Sequence, residues 1–259
     1  LIRLDTIKDI IVFLLAYIPP LLVFAKFWRE KHKNIIVLII ITLIYLGGSI
    51  FTQNLLPFIL IIFDIKFIKS AGTSYLDNKI DNTYNKTKFG RDINSVLKFD
   101  YNRFKFNGRN FSIFSALKLS AISYTVSLLI SIVETILLSR LNVKLEGQEV
   151  VSWMSSMQLW RFIIIIPVMI IFAPVVEEFV FRWLFFEKIF KNRMGIYLSA
   201  LISSLIFGFA HFNLRSFPIL VWIGIFNCYL IDKKGYWYSV FNHFTFNFIT
   251  TMALLIDKI

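Results

Sequence analysis

Three short strings put ionisable or amide side chains inside some of the most apolar stretches of this chain. "APVVEEFVFRW", residues 173–183, holds Glu177, Glu178 and Arg182 directly after "FIIIIPVMIIF"; "LIFGFAHF" holds His211; "FNHFTFNF" holds His243 and Asn247. An ionised group at the centre of a membrane helix costs about 2.5–3.5 kcal/mol on insertion scales, so each of these residues needs a partner or a function. Residues four apart share a helix face, with the acid better placed N-terminal to the base, and Glu178 is therefore expected to pair with Arg182. Glu177 is rotated about 100° from its neighbour and has Phe181 at its own i+4 position, so its partner must come from another helix.

His243 and Asn247, also four apart, project from one face of the last helix. An unpaired carboxylate, two imidazoles and an amide on separate apolar segments form one polar cluster if those segments pack together. Glu177, His211 and His243 are also an acceptable zinc set. Against a metal, HExxH is absent and no carboxylate stands out in the sequence as the orienter of either imidazole. The expectation is no cofactor, with zinc or another divalent metal as the alternative. Each histidine taken singly is equally an interhelical strut. Counting about 1.5 Å per residue from the basic links, Glu177 lies about 21 Å in, His211 about 24 Å, Asn247 about 17 Å and His243 about 12 Å. With tilt and kinks the four can meet in one polar pocket.

The elements that must position them are apolar helices. The chain has 259 residues, 57% hydrophobic, with a mean hydropathy of +0.69, which points to an all-α polytopic membrane protein rather than a soluble domain. Apolar segments at 9–27, 35–51, 55–69, 111–138, 159–190, 195–212, 219–231 and 236–256 predict about eight transmembrane helices. The third begins after a short polar break, with Pro57 suited to the first turn of a returning helix. Residues 1–27 resemble a signal peptide in hydropathy but carry Pro19-Pro20 and lack a small-x-small cleavage site, so they read as a first spanning helix.

A net charge of +12 would suggest nucleic acid in a soluble protein. Here the Lys and Arg cluster in links between apolar segments, as orientation in a membrane requires, and no nucleic-acid partner is expected. The richness in Ile, Phe and Lys reads as the codon bias of an AT-rich bacterial genome, placing the chain as a multi-pass protein of a bacterial cell membrane. The single cysteine, Cys228, excludes an internal disulfide and reads as a small buried apolar residue. His32 sits among Lys31 and Lys33 as a solvated surface residue, and Ser203 and Ser204 read as close-packing positions. Residues 70–110 form a basic polar stretch, read as a linker with partial helix lying against anionic lipid. The chain then divides into N-terminal helices plus linker, 1–110, and a core, 111–259.

The strings "EEFVFR", "FGFAH" and "HFTFN" fit EExxxR, FxxxH and HxxxN in that order. In this the chain resembles the CPBP intramembrane proteases, which include the CAAX prenyl endoproteases and the Abi or bacteriocin-immunity proteins; the likeness covers roughly residues 160–250. The resemblance implies an intramembrane endopeptidase whose Glu177 is general base and shares an activated water with His211. It implies that His243 and Asn247 stabilise the oxyanion, with Glu178 and Arg182 behind them, and that Phe207 is a packing residue. The substrate would be a membrane-associated peptide or protein. The alternative is a non-catalytic binding or bacteriocin-immunity protein that uses the same polar cluster structurally to grip a membrane-protein partner. A small transporter is disfavoured because no paired repeats or broken helices in corresponding halves are found.

Overall fold

The computed structural model describes residues 7–32, 34–52, 54–79 and 100–259, with residues 71–79 described as backbone. Residues 80–99 of the expected linker at 70–110 lie outside the described residues. Among those described every regular element is helical.

Helices α1 (Ile7–Ala16) and α2 (Ile18–Lys31) follow one another across Tyr17. Pro19 and Pro20 open α2 where a helix has no use for the missing N–H, and Arg29 and Lys31 close it on the favourable end of its dipole. Helices α3 (Ile35–Thr52) and α4 (Leu55–Lys79) form the expected hairpin, with Pro57 in the first turn of α4. Helix α5 (Ile113–Arg140) starts at Ser112, whose hydroxyl accepts the Ser115 N–H at 3.4 Å. Its buried Ala116, Ser120, Ser123 and Ser127 form a small-residue stripe that lets other helices approach closely. A short helix α6 (Glu149–Ser156), which the periodicity does not signal, bridges to α7.

Helix α7 begins as Leu159–Pro167, passes through π-helical Val168–Phe172 and α-helical Ala173–Glu177, and ends as a second π segment, Glu178–Phe190. Helix α8 (Lys191–Phe209) is broken near its start, where Gly195 adopts φ 78° and ψ 175°. Helices α9 (Phe217–Lys233) and α10 (Tyr236–Ile256) complete the chain. Gly235 between them has φ 115°, and a Cβ there would stand 2.9 Å from the Phe104 carbonyl oxygen, so no larger residue fits this turn.

Helices underlie all eight apolar segments, and five stretches among the described residues are long and apolar enough to cross a membrane: Ile7–Lys31, Ile35–Thr52, Ile113–Arg140, Leu159–Phe209 and Tyr236–Ile256. The count differs from eight for physical reasons. Asp64, Lys66 and Lys69 interrupt α4, α9 has only 17 residues, and α7 runs into α8 with a break in backbone angles rather than a loop. Within the most apolar window of α5 only 11% is buried, and in α3 only 17%. Surface of that kind requires lipid to cover it, and the chain is a multi-pass membrane protein.

The core centres on α7. Val175, Val176, Phe179, Trp183 and Phe186 pack with Phe27 of α2, Ile61, Ile65 and Ile68 of α4, and Tyr236 of α10. Phe104 and Phe106, placed by sequence in the linker, belong to the same cluster. Charges hold that segment down: Arg103 bridges Glu187 and Asp232, each at 3.2 Å, Lys191 reaches the same two carboxylates at 2.7 and 2.6 Å, and Lys188 pairs with Asp100. Burial pushes the Asp232 carboxyl up, but the ammonium groups of Lys191 and Lys233 outweigh it and hold it at about 2.

Helices α8 and α9 make the closest approach. Ser203 and Ser204 are both buried, as a packing role requires, and a Cβ added to Gly224 would meet Ser204 Cβ at 2.6 Å and its Cα at 3.0 Å. Gly224→Ala is expected to lower stability by about 1–3 kcal/mol through overpacking. Because the clash is with one side chain, Ser204→Gly in the same chain should restore part of the loss. Thermal unfolding of the detergent-solubilised single and double variants measures both.

Candidate active site

Two prolines shape the helix that carries the carboxylates. Pro167 and Pro174 lack the N–H that an α-helix needs, and the backbone between them is π-helical. In that register the Ala173 N–H reaches back five residues to the Val168 carbonyl. The next donor in line would be Pro174, which has none, and the Met169 carbonyl is left without a donor from the register on either side. Asn247 of α10 supplies it, donating through Nδ2 at 2.8 Å. Tyr236, at the start of the same helix, donates its hydroxyl to the Val175 carbonyl at 2.6 Å. Helix α10 thus grips α7 at two main-chain oxygens just ahead of Glu177 and Glu178.

Glu178 is wholly buried and wholly engaged. Its Oε1 accepts from Asn227 Nδ2 of α9 at 3.0 Å and from His243 Nδ1 of α10 at 2.9 Å. Its Oε2 accepts from the Ser239 hydroxyl and lies 3.2 Å from Arg182 Nε, the expected i+4 ion pair. Arg182 is equally buried, and its guanidinium stacks 4.3 Å from the centroid of the Phe207 ring. Arginine keeps its proton in proteins, so the pair is a carboxylate and a guanidinium; three hydrogen-bond donors and this counter-charge surround the carboxylate, while the Arg182 nitrogens have no hydrogen-bond partner among the described residues.

Glu177 has the opposite surroundings. Its side chain is 21% exposed, and its Oε2 has no hydrogen-bond partner among the described residues. That oxygen stands 3.7 Å from His243 Nε2, within ion-pair range of an imidazolium but beyond hydrogen-bonding distance. The Glu177 carboxylate also lies within electrostatic reach of His211 and of Tyr17 from the N-terminal helices.

The histidine tautomers follow from what each Nδ1 touches. His211, just beyond the end of α8, has Nδ1 2.8 Å from the Phe207 carbonyl, which can only accept, so Nδ1 carries the hydrogen. His243 Nδ1 faces a carboxylate and likewise donates. In both neutral rings the Nε2 lone pair is free. The Phe207 ring lies edge-on to both, with centroids 4.7 Å from His211 and 5.7 Å from His243, and the packing role expected of it spaces the two imidazoles.

The structure brings Glu177 and His243 side by side, sets His211 across Phe207, and spends one amide hydrogen of Asn247 on the Met169 carbonyl. Sequence reasoning missed Asn227 and Ser239. Ser239 was findable, being four residues before His243 on the same helix face; Asn227, a lone amide in an apolar run, carried no pattern. The orienting carboxylate that the sequence did not reveal for His243 is Glu178, which was assigned to Arg182 alone although a carboxylate accepts several donors. His211 is oriented by a backbone carbonyl instead. Among the described residues no three His, Cys, Asp or Glu side chains are arranged to hold a metal ion.

Residues 159–249 match the family model described as Type II CAAX prenyl endopeptidase Rce1-like. The matched segment contains Glu177, Glu178, Arg182, His211, His243 and Asn247, and it supports a CAAX-type intramembrane protease. No curated protein and no solved structure matches the chain.

The two adjacent carboxylates should therefore differ in what their loss does to the fold. Glu178→Ala leaves Arg182 buried without a counter-charge and is expected to cost about 3–5 kcal/mol. Glu177→Ala removes an oxygen with no hydrogen bond and should change stability by about 0.5 kcal/mol or less. Folded yield and thermal midpoint of the two purified variants test the contrast.

Proposed function

We propose that this chain is an intramembrane endopeptidase in which Glu177 activates a water for attack on a peptide carbonyl, without a metal. The observation that carries the reading is the unequal treatment of neighbouring carboxylates: Glu178 accepts hydrogen bonds from Asn227, Ser239 and His243 and is ion-paired with Arg182, whereas Glu177 Oε2 has no hydrogen-bond partner among the described residues. A general base must have a free lone pair within reach of the proton it removes. Of the two carboxylates, Glu177 meets that requirement.

Glu177 and His211 Nε2 are both acceptors, and a water has two O–H groups to give, one to each. As the water oxygen bonds to the carbonyl carbon, its proton passes to Glu177. The oxyanion that forms needs donors. Asn247 retains its second Nδ2 hydrogen for this purpose, since the first is held by Met169 O. His243 can help only as an imidazolium, because in its neutral form Nε2 has no hydrogen. An imidazolium there would be flanked by Glu178 on Nδ1 and by Glu177 beside Nε2. Collapse of the intermediate breaks the C–N bond, and the proton held by Glu177 goes to the departing amine.

The substrate class that fits is a membrane-associated peptide or protein, and the membrane is a bacterial cell membrane on the composition argument above. Glu177→Gln and His211→Ala are expected to abolish processing, a loss of about 10²-fold or more for each, while membrane levels of the protein stay unchanged. Membrane proteomics of cells carrying the active chain or Glu177→Gln identifies the peptide whose processing stops. Full processing by both variants would favour the non-catalytic binding protein. Chelators should leave processing by the purified protein intact, and inhibition reversed by added zinc would overturn the metal-free mechanism.

A further inference from the structure

A chain of buried amides and hydroxyls runs outward from Glu178 to the far side of the helix bundle. Asn227 of α9, Asn242 of α10 and Ser123 of α5 are all wholly buried. Asn242 Nδ2 donates to Asn227 Oδ1 at 2.8 Å and to Ser123 Oγ at 3.4 Å. Ser123 is itself held: its carbonyl accepts from Trp222 Nε1 at 3.1 Å and from the Ser127 hydroxyl at 3.0 Å. None of Ser123, Asn227 or Asn242 lies within "EEFVFR", "FGFAH" or "HFTFN".

The direction of every bond in this chain is fixed from one end. An ionised carboxylate can only accept, so Asn227 must turn Nδ2 toward Glu178 and Oδ1 away. Oδ1 then requires a donor, which Asn242 provides, and Asn242 must turn its own Oδ1 away from Asn227. That oxygen has no hydrogen-bond partner among the described residues. A buried acceptor is left without a partner so that both Nδ2 contacts can be made, and the arrangement therefore favours donation toward Glu178 over full satisfaction of its own groups.

Glu178 Oε1 is the oxygen that receives both Asn227 and His243 Nδ1. We propose that Asn227, oriented by Asn242 and Ser123, is a positioning residue that fixes the rotamer and ionisation of Glu178 and through it holds His243 in the Nδ1–H tautomer, with Nε2 turned to Glu177. The catalytic consequence rests on the hydrolase reading; the tautomer itself does not. Glu178 touches His243 directly, and Asn227 acts one bond further back, from a helix that contributes no motif residue.

The three histidines of the chain make the test direct. Histidine-selective ¹⁵N NMR of the full chain in nanodiscs, assigned with His211→Ala and His32→Ala, reads the tautomer of each neutral ring. Asn227→Asp keeps the side-chain shape but replaces the donor with an acceptor, so it must share a proton with Glu178. Asn242→Leu leaves Glu178 untouched and removes the donor that orients Asn227. Both should convert the His243 signal from the Nδ1–H form to a tautomer mixture and leave His211, which is held by the Phe207 carbonyl, unchanged. Processing of the membrane substrate should fall on the order of tenfold or more in Asn227→Asp, as when a histidine loses its orienting group. A His243 spectrum identical to the parent's in both folded variants would overturn the proposal, as would equal disturbance of His211. Failure of the parent chain to process any peptide would count against the hydrolase reading alone, and the spectra would still decide the positioning role.

Discussion

The buried ion pair between Glu178 and Arg182 is the constraint on which the rest of the site depends. Two charges removed from both water and lipid headgroups cost several kcal/mol each unless they are paired and their remaining hydrogen-bonding capacity is used. The carboxylate meets that condition by recruitment, whereas Arg182 Nε, Nη1 and Nη2 have no hydrogen-bond partner among the described residues. Ser239 and His243 come from α10, Asn227 from α9, and the Phe207 ring from α8 lies against the guanidinium. Satisfying one carboxylate therefore fixes the mutual arrangement of four helices. The His243 imidazole is oriented in the same act.

That constraint also explains how two consecutive glutamates come to have different chemistry. Glu178 faces the bundle interior, where Asn227, Ser239 and His243 converge on it. Glu177, one position earlier on the helix, faces the space between His243, His211 and the N-terminal helices, where it meets acceptors and a phenol. The first is a carboxylate surrounded by donors, and the second keeps an oxygen without a hydrogen-bond partner among the described residues. The π-helical geometry of α7 supports this division. Prolines at 167 and 174 free a carbonyl that Asn247 then uses as its anchor, so the backbone irregularity and the amide belong to one device.

The site also leans on parts of the chain outside the matched segment. Phe58 of α4 stacks on Phe172 with ring centroids 4.6 Å apart, and Tyr17 lies within electrostatic reach of Glu177. Residues 100–106 reach beneath α10, where the Phe104 carbonyl accepts the Tyr236 N–H at 2.8 Å and the Phe106 carbonyl accepts Trp237 Nε1 at 2.9 Å. Tyr236 in turn holds the Val175 carbonyl, two residues before Glu177. The cluster of Arg103, Lys191, Glu187 and Asp232 closes this end of the bundle.

Much of this was legible from residue types and spacing alone. The cost of charge in an apolar helix singled out Glu177, Glu178 and Arg182, the i+4 rule paired the last two, and the same rule left Glu177 searching for a partner on another helix. Hydropathy located the helices, and the turn at Pro57 followed from its position. What spacing could not supply was anything that depends on which helix stands beside which. A count of 1.5 Å per residue put Glu177 and His243 about 9 Å apart in depth, yet they are neighbours. A π-helix advances less per residue than an α-helix, and sequence periodicity does not show where one begins. Asn227, Ser239 and the orientation of His243 were hidden for a related reason: a hydrogen bond between helices is set by angles and register in three dimensions, and the chain carries no local signal for an acceptor that lies 49 or 65 residues away. The sequence determined which groups had to find partners, and only the packed structure decided which partners they found.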